Sequence, residues 1–132
     1  NDLLYLNLPS TANALAIKTA CTQWFQGRAL AWFETRLRHF QQSSGTKPQC
    51  LRLSSATTRW GSCNANGQIR LNWRLIHLCP DLIDYVIAHE LAHLKEMNHS
   101  PRFWAEVKRI LPTYEAAKNR LKQKNLRTLP IL

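Results

Sequence analysis

Apolar residues first recur at helical spacing. Ala14, Ile17, Cys21, Trp24 and Phe25 share one face, and Leu30, Phe33, Leu37 and Phe40 continue it. This predicts one long helix, or two abutting ones, from Ser10 to about Gln42. Ser10 stands at the N-cap after Pro9, and Gly27 marks a join or a close packing contact. SSGTKP, residues 43 to 48, is loop chemistry. From Cys50 the period shortens, and CLRLSS alternates apolar and polar residues as a half-exposed strand does. TTRWGSC and QIRLNW then flank NANG, whose Asn66-Gly67 is a tight-turn signal. The expectation is a β-hairpin with a third short strand before it, together a small antiparallel sheet. Pro80-Asp81 opens a helix through about Glu96, and Ser100-Pro101 opens another, with Pro at a position where its missing N–H has no partner anyway. Pro112 interrupts and Thr113 caps a last basic helix. The order of long helix, small sheet and further helices reads as one α+β domain over residues 1–132.

Composition agrees with one globular unit. The chain has 132 residues, 45% hydrophobic and 20% charged, enough for one core but not comfortably two. No apolar run approaches the roughly 20 residues that span a bilayer, so no membrane role is expected. NDLLYLNLPS has neither the basic start nor the apolar middle of a signal peptide and no initiating Met, which reads as a trimmed chain. Cys21, Cys50, Cys63 and Cys79 are scattered without a C-x-x-C pair, so the reading is reduced, mostly buried thiols in a cytoplasmic protein. The net charge of +10 is more unusual. From Arg102 to Arg127 eight Lys or Arg stand against two acids, Glu106 and Glu115. Such a tail favours nucleic acid or another polyanion as a partner, or else is a solvated helix face.

The chemistry concentrates in residues 89 to 99, HELAHLKEMNH. His89 and His93 lie four apart on a helix, so their imidazoles project from one face about 6 Å apart and suit a shared ion. Zinc in a catalytic site takes three protein ligands and a water, so a third ligand is needed. Glu96 is on the same face but about 10 Å along the axis from His89, which makes it an acceptor behind a ligand rather than a ligand. His99 is better placed if the helix ends before it and Asn98 adopts a left-handed turn. Glu90, next to His89, can take a proton from water acidified by the metal and pass it to a leaving amine. The helix is apolar on its other faces, at Leu82, Ile83, Val86, Ile87, Leu91 and Leu94. Burying two imidazoles and a carboxylate there without partners would be costly, and one Zn2+ ion removes the cost.

These residues resemble the YgjP-like zinc metallopeptidases, and more distantly the SprT-like proteases. RWGSC (59–63), GQIRLNWRLI (67–76), Pro80, DYVIAHELAHL (84–94), NHSPRFW (98–104) and LPTY (111–114) follow that family's pattern in order, as does the earlier helix with Trp24 and Ala31. The resemblance covers about residues 15 to 122. It implies a zincin-like α+β fold, with His89, His93 and His99 as zinc ligands and Glu90 as the catalytic acid. It also implies a further β-rich segment ahead of the long helix, of which LLYLNL would be a remnant within residues 1–9. The histidine spacing equals that of metzincins, but those place Gly at the position of Glu96 and use a later methionine turn. The one Met here is Met97.

Around the metal, the RWGSC hairpin is the candidate edge for binding protein or peptide substrate by strand addition. Arg59 is a candidate to bind a substrate carboxylate or developing charge, or to neutralise an internal acid. Trp60 is a candidate cleft wall or core residue. Tyr114, Tyr85, Arg59 and a backbone amide are candidates for the oxyanion donor, with Tyr114 placed to lean over the site. Asn72 or Glu96 could orient a ligand imidazole, and Cys63 reads as structural. Phe103, Trp104, Val107 and Leu111 form a stripe that packs the third-ligand turn. The function expected is zinc-dependent hydrolysis of peptide bonds. The alternatives are a nucleic-acid-associated basic module with mainly structural zinc and a zinc hydrolase of non-peptide amides; the oligomeric state is left open.

Overall fold

A computed structural model describes Pro9 and residues 13–126. Ser10, the expected cap, and LLYLNL lie outside the described residues. One unbroken helix, α1, runs Ala14–Ser44, capped by Asn13, whose side chain accepts from Ala16 N–H at 2.8 Å. It ends at Gly45, whose φ of 71° is the left-handed conformation glycine adopts at no steric cost, and whose N–H reaches the Gln41 carbonyl. Gly27 is neither a join nor a close contact: it is exposed inside the helix, with nothing within 4 Å of where a Cβ would sit. Ala29, Phe33, Leu37 and Phe40 form the buried stripe.

The strands are β1 (Cys50–Ser54), β2 (Gly61–Cys63) and β3 (Gln68–Asn72), in the order β1-β3-β2. β2 and β3 form the expected hairpin, pairing Gly61 with Leu71 and Cys63 with Ile69. Its turn is held by Asn64 Oδ1, which accepts from the N–H groups of Asn66 and Gln68, and by Gly67 at φ 79°. The sheet is not wholly antiparallel, however. β1 runs parallel to β3, pairing Leu51 with Ile69 and Leu53 with Leu71, so residues 55–60 must cross to the far edge. Buried Asn72 pins that crossing by donating to the carbonyls of Ala56 (2.7 Å) and Arg59 (3.1 Å) while accepting from Arg74 N–H. Its amide is therefore spent on the crossing and does not orient an imidazole.

After a 3-10 helix, Trp73–His77, α2 (Pro80–Ala92) runs through the core. It is apolar on almost every side, as a helix buried all round must be. α1, α3, α4, β2 and β3 all contact it. A two-pronged ion pair joins α1 to α2, with Arg36 donating to both carboxylate oxygens of Asp84 at 2.9 Å. α3 (Pro101–Ile110) starts at Ser100, whose hydroxyl accepts from Phe103 N–H, and α4 (Tyr114–Lys122) follows. Thr113 stands at the cap position of α4 but makes no side-chain capping bond. The four cysteines are free; only Cys21 is buried, and Cys79 is exposed rather than buried as expected. Among the described residues no helix is long and apolar enough to cross a membrane.

Candidate metal centre and adjoining cavity

The site depends on where α2 stops. Periodicity extends the helix to Glu96, but it ends at Ala92 with His93 as its C-cap. His93, Leu94 and Lys95 then donate to the carbonyls of Glu90, Leu91 and Ala92, three residues back, so the last turn tightens. Asn98 is not left-handed, since no non-glycine residue among those described has a positive φ. The reversal is instead made by this tight turn and by Ser100 N–H reaching the Asn98 carbonyl. It swings His99 back over the helix.

The three imidazoles converge. The ligand atoms of His89, His93 and His99 all lie within 4.8 Å of one another, and Nε2 of His93 is 3.2 Å from Nε2 of His99. Two nitrogens sharing a tetrahedral zinc stand about 3.3 Å apart, from the usual Zn–N length. Tautomers fit as well. Nδ1 of His93 faces the Glu96 carbonyl at 3.2 Å, which can only accept, so Nδ1 carries the proton and Nε2 presents a lone pair to His99. Nδ1 of His89 likewise faces Glu90 Oε2 at 2.9 Å, leaving its Nε2 as the free nitrogen. Burial pushes His93 below its ordinary value of 6.5, which favours the neutral, ligating ring. Glu96 thus acts on His93 through its backbone oxygen rather than its carboxylate. The donor set fits a nitrogen-preferring divalent ion.

Phe103 sets the aim of all three rings. Fully buried on α3, it stands with its centroid 5.0, 4.4 and 4.9 Å from those of His89, His93 and His99. Trp104 lies beside His89 and His99 and stacks on Tyr114, with Lys118 Nζ 3.8 Å above its ring. The Phe103 stripe packs the turn as the sequence pattern indicates.

A cavity of about 190 Å3 opens beside His89, lined by Trp60, Gly61, Tyr85, Val86, His89, Glu90 and Leu121. Glu90 is 4% exposed, so its carboxylate meets solvent chiefly through this space. Trp60 both walls the cavity and packs against the core. Arg59 is exposed and does not line the cavity; its carbonyl holds Asn72. Tyr114 is also off the cavity, stacked on Trp104 with its hydroxyl 3.5 Å from Glu115. Tyr85 occupies the wall instead. Burial, then the nearby charges of Glu90 and Tyr114, pushes its phenol up to about 12, so it keeps a proton to donate. Burial and the nearby charge of Glu90 push the Cys63 thiol up to about 11, and Cys63 is not among the residues whose ligand atoms converge.

Gly61 carries a role that the sequence did not disclose. A Cβ there would meet Val86 Cγ1 at 3.1 Å, the Arg70 carbonyl at 3.2 Å and Glu90 Cγ at 3.2 Å. The bare backbone of β2 therefore makes the room that Glu90 occupies. Its one signal was glycine inside a strand, the mark of a close approach. The basic tail is partly spent on structure: Arg109 holds Glu106 and the carbonyls of Ser43 and Ser44, and Arg120 pairs with Asp81.

A buried helix offering two imidazoles and a carboxylate, a third imidazole from the turn behind it and a strand edge across the carboxylate define a metallopeptidase. More particularly, the YgjP-like, metallopeptidase domain family matches residues 1–124, and the chain belongs to that family. Among solved structures it is similar to the metallopeptidase zymogen abylysin of Pyrococcus abyssi, with 26% identity and a TM-score of 0.64 over 74% of this chain and 99% of that one. The metallopeptidase zymogen jannalysin of Methanocaldococcus jannaschii shares the fold at 21% identity and a TM-score of 0.55, over 68% of this chain and 91% of that one. No curated protein sequence matches the chain.

Proposed function

We propose that the chain hydrolyses peptide bonds with one zinc ion held by His89, His93 and His99 and with Glu90 as general base and then acid. The observation that carries this reading is the meeting of three imidazole nitrogens within 4.8 Å beside a nearly buried carboxylate. When bound, the ion supplies Lewis acidity, polarising a peptide carbonyl and lowering the pKa of water towards about 7. Oε2 of Glu90 holds His89 in its ligating tautomer. Oε1 takes a proton from the attacking water and returns it to the leaving amine nitrogen.

Tyr85 O–H donates to the carbonyl oxygen as negative charge develops there, a role its raised pKa suits. Tyr114 supports the Trp104 wall and is a less direct donor. β2, the sheet edge that carries Gly61, offers its open side to an extended substrate backbone. Trp60 flanks that backbone, and exposed Arg59 is available to a substrate carboxylate beyond it.

The test is Glu90→Gln, whose amide cannot accept the proton. The variant should keep its zinc, read by metal analysis, and lose cleavage of unfolded proteins and short peptides; chelator should abolish wild-type cleavage. A Glu90→Gln protein that cleaves as fast as wild type removes the mechanism.

A further inference from the structure

We propose that the groove beyond Trp60 binds a carboxylate of the substrate, either an acidic side chain two or three residues from the scissile bond or the peptide's own C-terminus. This rests on the peptidase reading above. The groove, about 550 Å3, is lined by Thr57, Thr58, Lys122, Lys124 and Asn125 together with Trp60. Two continuities tie it to the catalytic cavity. Trp60 walls both spaces, and Leu121 of the cavity directly precedes Lys122 of the groove. An extended chain advances about 3.3 Å per residue, so a side chain two positions from the cleaved bond lies roughly 7 Å away on the same face.

The chemistry of the lining selects anions. No acid lines the groove, and neither Lys122 nor Lys124 makes an ion pair among the described residues, unlike Arg109 and Arg120. Two lysines and two threonines then line the space, and no carboxylate lines it among the described residues. Exposed Arg59 follows Thr58 in the chain but does not itself line the groove. A peptide carboxylate is favoured over a nucleic-acid phosphate because the groove continues from the cavity that holds the scissile bond.

Two readouts test this on the full chain. In the first, one C-terminally amidated peptide carries Gln or Glu at each of the three positions on either side of the scissile bond, and a third form ends there in a free carboxylate. Glu, or the free carboxylate, should lower KM about two- to fivefold with little change in kcat, as exposed charge pairs do, and added salt should erase the difference. The arm that responds identifies the source. Lys122→Glu with Lys124→Glu should abolish the preference, whereas Arg38→Glu with Lys47→Glu, in a separate groove, should keep it. The second readout needs no cleavage: in a 15N NMR titration the Glu peptide should shift the amides of Thr57, Thr58 and Gln123 and the Gln peptide should not. If peptides are cut but Glu, Gln and carboxylate forms share one KM, or if the preference survives in the doubly reversed variant, the inference is wrong. It is equally wrong if a single-stranded oligonucleotide shifts those amides and the Glu peptide does not. Absent cleavage together with the expected shifts would instead remove the peptidase reading and keep the groove.

Discussion

Gly61→Ala tests whether the room left by a strand glycine sets the position of the Glu90 carboxylate, the proposed general base. The added methyl would stand 3.1 to 3.2 Å from Val86 Cγ1, the Arg70 carbonyl and Glu90 Cγ, where ordinary carbon contacts need about 3.5 Å or more. The Arg70 carbonyl belongs to the β2–β3 ladder and Val86 is 3% exposed, so neither yields freely. Glu90, at the mouth of a cavity, yields most easily. Overpacking of this kind costs about 1–3 kcal/mol. Gly61 has no positive φ, so alanine recovers about 0.4–1 kcal/mol by restricting the unfolded chain. The net loss is up to about 2.6 kcal/mol, a fall in Tm of up to roughly 10 °C for a domain of this size. Catalysis should suffer more: a 1 Å misplacement costs on the order of 100-fold, so a shift of half that implies about tenfold in kcat. Calorimetry, zinc analysis and steady-state cleavage on one preparation separate the effects. Zinc content should hold at one per chain, because no histidine is displaced. A variant with wild-type Tm and kcat, or one that loses zinc in step with activity, refutes the reasoning.

Other perturbations follow from the same geometry. Tyr85→Phe removes the proposed oxyanion donor and should lower kcat about 100-fold with zinc retained; unchanged kcat would assign that role to another group. Asp84→Ala leaves the Arg36 guanidinium without its two-pronged partner and should destabilise the α1–α2 contact by about 1–3 kcal/mol in denaturant unfolding. Chiefly through the Arg109 hydrogen bond, Glu106 sits below its ordinary 4.5, so its contribution to stability is complete above about pH 4.5 and is lost as pH falls through the lowered value. Glu106→Gln should therefore melt lower than wild type at neutral pH, and the gap should close under acid; a gap independent of pH would show that charge is not its cause.

Much of this arrangement was legible in local pattern. The stripe Phe33, Leu37 and Phe40, the Asn66-Gly67 turn and the pair His89 and His93 each follow from spacing that one helix or one hairpin imposes. What escaped depends on distant partners. The parallel pairing of Leu51 with Ile69 joins segments separated by the crossing, and no local period records its direction. The end of α2 at Ala92 has no Gly or Pro to announce it. It follows from the tight turn that lets Phe103 meet all three imidazoles. Tyr85 lies one turn before His89, but the cavity wall it shares with Glu90 also takes Gly61 of β2 and Leu121 of α4, which no local spacing records. Gly61 was visible as a residue, while the side chain it accommodates was not.

Zinc K-edge absorption of the purified, zinc-loaded protein reads the centre most directly. One ion per chain with three imidazole nitrogens at about 2.0–2.1 Å, falling to two imidazoles or to no bound zinc in His99→Ala, is the expected result. A wild-type spectrum with fewer than three imidazoles, or one that His99→Ala leaves unaltered, would contradict a centre shared between α2 and the turn that follows it.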